Sequence, residues 1–274
     1  MEKSVKDATG RKADPPRGIL HPLTAPSIEH ERILPGEGLS SWIRHFWWVK
    51  WKLDGDLVRE NLPHPSVHLT FQDNVVEILG VTTKRFRAAL SGNGWVLGVK
   101  FEPGAFSAIT GDSVSDLTDR RLPASDFFGT SIDRLGKDVF DCAEMEDRIA
   151  IVQDYLSQIP VRLSDDAILA GRLVRRLETE PGLLRVEDLC VSEGLSLRKA
   201  QRLFKKHVGV TPRWVISRYR IHEALERLQS AKEIPRIDWA AFALELGYYD
   251  QAHFIKDFTS ATGCSPGEYE KANH

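Results

Sequence analysis

The chain has 274 residues, which is enough for about two domains of ordinary size. Charged residues make up 28% of the chain and its formal net charge is −2, which fits an ordinary globular protein. No stretch approaches the ~20 apolar residues of a membrane span, and the polar first residues lack the apolar core of a secretion signal. The scattered cysteines Cys142, Cys190 and Cys264 predict a reducing, cytoplasmic setting without a metal or other cofactor.

Residues 1–27 are predicted to form a mobile tail, and residues 28–160 a β-rich domain. Short apolar runs separated by Gly, Pro, Asn and Asp predict several strands within about 60 residues. This spacing favours a small barrel-like or sandwich fold with attached helices. An aromatic run from Trp42 to Trp51 either packs in its core or lines a ligand cavity.

From about residue 125 onward, the apolar residues recur at intervals of three and four. The stripe consists of Leu135, Val139, Cys142, Met145, Ile149, Val152, Leu156 and Ile159. This period predicts one or two helices. They either cover the core of the β domain or supply a dimer contact.

Two later segments share one pattern. In each, a small residue precedes a glycine by four positions: Cys190 before Gly194, and Ala243 before Gly247. The small residue lets two helices cross closely, and the glycine supplies the positive φ of a tight turn. The pattern is typical of a helix-turn-helix unit, and it predicts two such units at about 183–207 and 234–260.

A similar ending follows each unit, with Gly209 and Gly263 each followed three positions later by proline. These endings, with the segments 202–205, 220–224 and 247–254, make residues 164–269 resemble the AraC/XylS family of transcription regulators. The resemblance implies an all-α module, residues 165–272, in which a long helix joins the two units. The fold class expected for the chain is therefore α+β with two domains.

A weaker resemblance covers residues 40–129, which are similar to an uncharacterised domain that often precedes this module. It is carried by Leu62–Pro63, by the strand 67–71, and by residues 98–105 and 117–119. The resemblance implies an effector-sensing or dimerising role for the N-terminal domain.

The predicted second helix of the first unit carries Arg198, Gln201, Arg202 and Lys205 on one face. Arginine can pair with guanine and glutamine with adenine in the major groove of DNA. The family resemblance places base contacts at Arg198, Gln201, Arg202, Gln251, Ala252, Ile255 and Lys256. Phosphate contacts are expected from Lys199, Lys205, Lys206, Arg213 and Arg218.

The second unit is less well equipped for reading bases. Asp250 is expected to cap its second helix, and Asp257 brings a negative charge near the DNA-facing side. We therefore expect this helix to read sequence weakly and to anchor the DNA backbone. Positive charge is concentrated around the first unit, where residues 198–222 hold eight Lys or Arg and no acid.

These features predict a transcription regulator that is not an enzyme and that binds double-stranded promoter DNA in the cytoplasm. Further candidate partners are RNA polymerase, a small-molecule effector and a second copy of the chain.

Alternative functions use the helical module for targeting. One is a metal-dependent enzyme, suggested by His64 and His68 with His45 or His30 as a third ligand. Another is a co-regulator that works through protein contacts. A DNA-repair alkyl acceptor would need a zinc-bound cysteine cluster, and the scattered cysteines do not provide one.

Overall fold

The computed structural model describes residues 18, 20, 27–180, 182–230 and 237–273, with only the backbone described for residue 273. The predicted tail at 1–27 lies almost entirely outside the described residues. Residues 234–236, where the second predicted unit begins, also lie outside them.

In the described N-terminal residues, eight strands form two antiparallel sheets. The strands are β1 (Ile28–Ile33), β2 (Ile43–Lys52), β3 (Leu57–Asn61), β4 (His68–Gln72), β5 (Val75–Leu79), β6 (Phe86–Leu90), β7 (Asn93–Phe101) and β8 (Arg121–Pro123). Six of them form one sheet in the order β1-β2-β7-β4-β5-β8, and β3 pairs with β6. The β3–β6 pair packs on the larger sheet through Trp51, Leu57 and Leu90. The result is an open sandwich, since β1 and β8 occupy opposite edges of the larger sheet.

Alternation along the strands of the larger sheet gives it one apolar face. Leu69 and Phe71 of β4, and Leu97 and Val99 of β7, are fully buried on this face. The opposite face carries the polar side chains His45, Thr70 and Lys100 as well as Trp47. Residues paired directly across neighbouring strands share a face, and His45 is paired with Lys100, while Trp47 and Thr70 are both paired with Gly98, two residues before Lys100.

Helices cover the apolar face. They are α1 (Ser107–Thr110), α2 (Ser125–Phe128), α3 (Ser131–Asp141) and α4 (Met145–Ser157), and a 3₁₀ turn at Val114–Leu117 follows α1. The predicted apolar stripe is buried, with Val139 and Val152 both at 0% exposure. The stripe therefore belongs to the core of this module, and it is not available as a dimer contact.

The C-terminal part is helical. Its helices are α5 (Asp165–Thr179), α6 (Val186–Ser192), α7 (Leu197–Leu203), α8 (Pro212–Ser230), α9 (Trp239–Glu245), α10 (Gln251–Thr262) and α11 (Pro266–Asn273), and a π-helical turn at Phe204–Val208 extends α7. The predicted two-part α+β architecture, with a long helix between two helix-turn-helix units, is confirmed. Within the described residues, no helix combines the length and apolarity needed to cross a membrane.

The second helix-turn-helix unit packs on α8 in a cluster of its own. The β-rich part and the first unit share another hydrophobic core. It runs from Leu39 in the β-rich part to Tyr219 in α8, and it includes Phe204 and Val208 of the π-helical turn. Helix α5 lies directly on the loop after β7, where a Cβ on Gly104 would fall 2.5 Å from the carbonyl oxygen of Ala167. The domain limits 28–160 and 165–272 remain a prediction, and extensive packing crosses the boundary between them.

Candidate nucleic-acid interface

Both helix-turn-helix units are built by the same local devices. Gly194 and Gly247 adopt φ of 62° and 76° in the turns, a left-handed conformation that glycine reaches without strain. Ser196 caps α7 by accepting from the N–H of Lys199 at 3.2 Å. Asp250 caps α10 by accepting from the N–H of His253 at 2.7 Å. The caps satisfy backbone donors that would otherwise be left unpaired at each helix start, so both second helices begin where their sequence predicts.

Helix α7 presents a polar, cationic surface to solvent. Arg198, Gln201 and Arg202 are exposed, and Lys205 follows them in the π-helical turn. The opposite side of the helix is apolar, and Leu203 is buried there. The helix is thus held by one side and offers the other to a partner.

Within the described residues, the cations of this surface have no side-chain partner. In the described part of the chain, no ion pair or side-chain hydrogen bond involves Arg198, Arg202, Lys205 or Lys206. Lysine and arginine side chains in this state can bond phosphates or base edges without first breaking a contact within the protein. Lys199 is half-buried, and it lies at the edge of this surface.

Helix α10 offers a less charged surface. Gln251, Ala252 and Lys256 are exposed and Ile255 is half-buried, while Phe254 and Phe258 are buried on the inner side. The repulsion of DNA expected from Asp257 stays a prediction. Its carboxylate accepts a hydrogen bond from Ser217 of α8 at 3.0 Å, so it ties the second unit to the connecting helix.

Of the two arginines on α8 that were expected to contact phosphate, one is exposed and the other is buried. Arg213 is exposed. Arg218 is only 6% exposed, donates to the carbonyl oxygen of Thr83, and stacks its guanidinium 4.5 Å from the ring centroid of Trp214. Burial lowers the pKa of Arg218 to about 10. The prediction that Arg218 contacts phosphate is wrong for this structure, because its guanidinium is used to join α8 to the β-rich part.

A set of contacts that the sequence did not reveal fixes the C-terminal end of α7 and its π-helical turn, which we call the first recognition helix for the role proposed below. Ser113 donates to the carbonyl oxygen of Lys205 at 3.0 Å, and Thr118 donates to that of Gly209 at 2.7 Å. We call Ser107, Ser113 and Thr118 the clamp. No sequence motif marks these residues, since small hydroxyl residues are common in loops.

The third clamp contact is buried. The hydroxyl of Ser107 lies 2.7 Å from Nδ1 of His207 and 2.8 Å from the carbonyl oxygen of Gly104. Because the serine has one proton and the carbonyl can only accept, Nδ1 of His207 is assigned as the donor to Ser107. Burial lowers the pKa of His207, which favours the neutral ring. The N-terminal part thereby holds the end of the helix whose exposed face carries the cations.

The histidines that suggested a metal site have other neighbours. The ring of His64 stacks on His222 with centroids 4.3 Å apart, and Nδ1 of His68 accepts from the indole of Trp47 at 3.1 Å. Residues 27–180, 182–230 and 237–273 contain no group of three His, Cys, Asp or Glu that could hold a metal ion.

The geometry defines a class of module: two helix-turn-helix units, each with an exposed second helix, with one long helix between them. Comparison with known families agrees. Residues 189–272 match the family model described as a helix-turn-helix domain, and residues 31–123 match a domain of unknown function. Residues 189–272 therefore form a helix-turn-helix domain of the AraC type.

Two curated relatives are similar over part of the chain. An uncharacterized HTH-type transcriptional regulator of Haemophilus influenzae is 28% identical over 125 residues, which are 46% of this chain and 41% of the relative. The raffinose operon transcriptional regulatory protein RafR of Pediococcus pentosaceus is 30% identical over 87 residues, which are 32% of this chain and 30% of RafR. The chain thus spans less than half the length of either relative.

Solved structures were also compared. ToxT from Vibrio cholerae has a TM-score of 0.39 and 11% identity, over 89% of this chain and 96% of ToxT. A structure of ToxT with a bound unsaturated fatty acid has a TM-score of 0.36 and 13% identity, over 91% of this chain and 97% of ToxT.

Proposed function

We propose that the protein is a transcription regulator that binds promoter DNA through both helix-turn-helix units. The observation that carries the proposal is the exposed face of α7. Arg198, Gln201 and Arg202 share that face, and in the part of the chain that the structure describes none of them is engaged within the protein. These side chains have the donors that read guanine and adenine edges in the major groove.

The two units have different tasks in this proposal. The first reads bases through Arg198, Gln201 and Arg202, and Lys205 and Lys206 hold phosphates beside them. The second anchors the complex through Gln251, Ala252, Ile255 and Lys256, whose single charge and small apolar groups give little base discrimination. Lys199 and Arg213 add phosphate contacts at the edges, and phosphate contacts position a protein without specifying sequence.

The N-terminal part adjusts this activity in our proposal. The clamp grips the end of the first recognition helix, so a change in the β-rich part would reorient that helix. A small-molecule effector or a second copy of the chain are the candidate causes of such a change, and RNA polymerase is a candidate partner at the promoter. The protein would work at the nucleoid, in the cytoplasm, rather than as an enzyme.

The test is DNA binding by single variants. Genome-wide mapping of bound sites supplies the operator, and its affinity is then measured for Arg198→Ala and Arg202→Ala. Loss of one bidentate arginine–guanine contact costs about 1–3 kcal/mol, which is roughly a 5- to 150-fold weaker Kd. Arg134→Ala is the matched control, because Arg134 is an exposed arginine on α3 of the other module.

Unchanged operator affinity and an unchanged footprint for both variants would overturn the assignment of α7 as the reading helix. A weaker affinity for all DNA sequences equally, without relaxed preference at any base pair, would reassign both arginines to phosphates.

A further inference from the structure

The polar face of the larger sheet has a buried lysine at its centre. Lys100 of β7 is paired directly with His45 of β2 on one side and with His68 of β4 on the other. Side chains directly opposite one another on neighbouring strands project from the same face, with Cβ atoms about 4.5–5.5 Å apart. The Lys100 side chain therefore projects from the same face as His45 and His68, with one histidine on each side of it.

Among the described residues, this ammonium has no counter-ion within hydrogen-bonding distance. Lys100 is 6% exposed and His45 is 7% exposed, and among the described residues no hydrogen bond or ion pair involves either side chain. The two carboxylates whose charge acts on Lys100 are engaged elsewhere. Glu178 pairs with Arg44 at 2.9 Å, and Glu102 pairs with Arg175 at 3.2 Å.

Two arginines near Lys100 carry further positive charge. Arg32 of β1 and Arg44 of β2 both act unfavourably on a protonated Lys100, and burial has the largest effect, so that the pKa of Lys100 is lowered to about 7. Burial likewise lowers the pKa of His68 to about 3 and holds that of His45 well below its usual range. Burying an ammonium without a counter-ion costs free energy of folding, so its presence suggests a function.

The neighbouring row of the same face is aromatic. Trp47 is paired with Gly98, and a Cβ on Gly98 would fall 2.1 Å from the indole ring. The ring therefore lies flat against β7, one row from Lys100. Trp47, His68 and Arg32 are half-buried, so this part of the face reaches solvent.

We propose that Lys100 and His45 bind the oxyanion group of a small organic ligand whose body lies against Trp47. The ligand is either a carboxylate or a phosphate ester, since both present oxygens that accept hydrogen bonds from an ammonium and an imidazole. This inference deepens the proposed function by naming the chemical class of the effector, and it rests on that function for its regulatory meaning.

The site is connected to the DNA-binding module. Arg44, whose charge acts on Lys100, forms a two-bond ion pair with Glu178 of α5. His64, beside the same cluster, stacks on His222 of α8. An anion at Lys100 competes with Glu178 for Arg44, and thereby acts on the junction between the two modules.

Binding has a defined pH dependence. The bound anion stabilises protonated Lys100, so its pKa rises from about 7 on binding. Affinity is therefore full below pH 7 and falls about tenfold per pH unit above it. The titratable and charged groups facing the lysine are His45 and His68 on the flanking strands, His64 before β4, Arg32 on β1, Arg44 on β2, Glu102 after β7 and Glu178 on α5.

The probes are benzoate and inorganic phosphate, each added to the full chain at constant ionic strength set with sodium chloride. Benzamide is the uncharged control for benzoate. We expect at least one anion to raise the midpoint of thermal unfolding, while benzamide does not. A response to phosphate only assigns a phosphorylated ligand, and a response to benzoate only assigns a carboxylate.

Lys100→Met tests the assignment to the site, with Lys50→Met, an exposed lysine of β2, as the control. Lys100→Met should bind the anion at least tenfold more weakly, and without anion at pH 6 it should melt no lower than the wild type, because the unpaired charge is gone. Lys50→Met should bind as the wild type does.

The proposal is overturned if neither anion stabilises the wild type, or if Lys100→Met binds as tightly as the wild type. If Lys100→Met fails to fold, titration calorimetry with benzoate on the wild type decides, since the probe stays ionised from pH 6 to 9. An affinity that does not change over this range then refutes the site. Operator binding is measured separately without anion, so a failure of the DNA-binding proposal leaves these results readable.

Discussion

The core shared by the two modules predicts that they unfold together, and Phe204→Ala tests this. Phe204 lies at the end of the first recognition helix, is fully buried, and packs in the same cluster as residues of the β-rich part. Truncation of a buried phenylalanine costs about 3–5 kcal/mol. In a chain of this size each kcal/mol shifts Tm by about 2–4 °C, so we expect a loss of roughly 10 °C.

The assay follows thermal unfolding by two signals. Tryptophan fluorescence reports mainly the β-rich part, which holds five of the seven tryptophans, and far-UV circular dichroism reports mainly the helices. Both midpoints should fall together in Phe204→Ala. The control is Val191→Ala on α6, whose side chain is 83% exposed and whose loss should change stability by less than about 0.5 kcal/mol.

A helical signal that melts earlier while the fluorescence midpoint is unchanged would refute the shared core. That outcome would show that the modules are independent domains that merely touch.

Two further predictions concern individual charged groups. Arg213→Ala should reduce the slope of log K against log salt concentration for DNA binding by about one unit. Arg218→Ala should leave this slope unchanged and lower the free energy of unfolding by about 1–3 kcal/mol, because it leaves the Thr83 carbonyl unpaired. Equal slopes for the two variants would contradict the burial of Arg218. Burial lowers the pKa of His64 in the folded chain, so the unfolded chain takes up a proton first as pH falls below about 6.5. Below that pH, His64 should reduce the free energy of unfolding by up to ~1.4 kcal/mol per pH unit. Urea unfolding between pH 5 and 8 should therefore show a shallower decline of stability in His64→Gln than in the wild type.

The local features of the helices were predictable from sequence. Glycines at the two turns, Asp250 as a cap and the apolar stripe of α3 and α4 all follow from rules that act within a few residues. The exposed face of α7 also follows from the helical period, since its positions repeat every three or four residues. Such rules need no knowledge of what packs against the element.

The errors came from contacts between residues far apart in sequence. Arg218 lies on the flank of α8, where spacing alone suggests a phosphate contact, and it is buried because Thr83 of the other module accepts its hydrogen bond. The clamp residues are also far in sequence from the helix that they contact. The row of His45, Lys100 and His68 depends on strand order and register, which place three separate strands side by side.

The position of the clamp constrains how the β-rich part can control DNA binding. It holds the carbonyl oxygens of Lys205 and Gly209 and the ring of His207, all at the C-terminal end of the first recognition helix. The exposed face of α7, with Arg198 and Arg202, is untouched by the clamp. The clamp therefore does not block the proposed DNA-binding surface. They act on the orientation of the helix, so an effector that shifts the clamp should change affinity while the same bases are read.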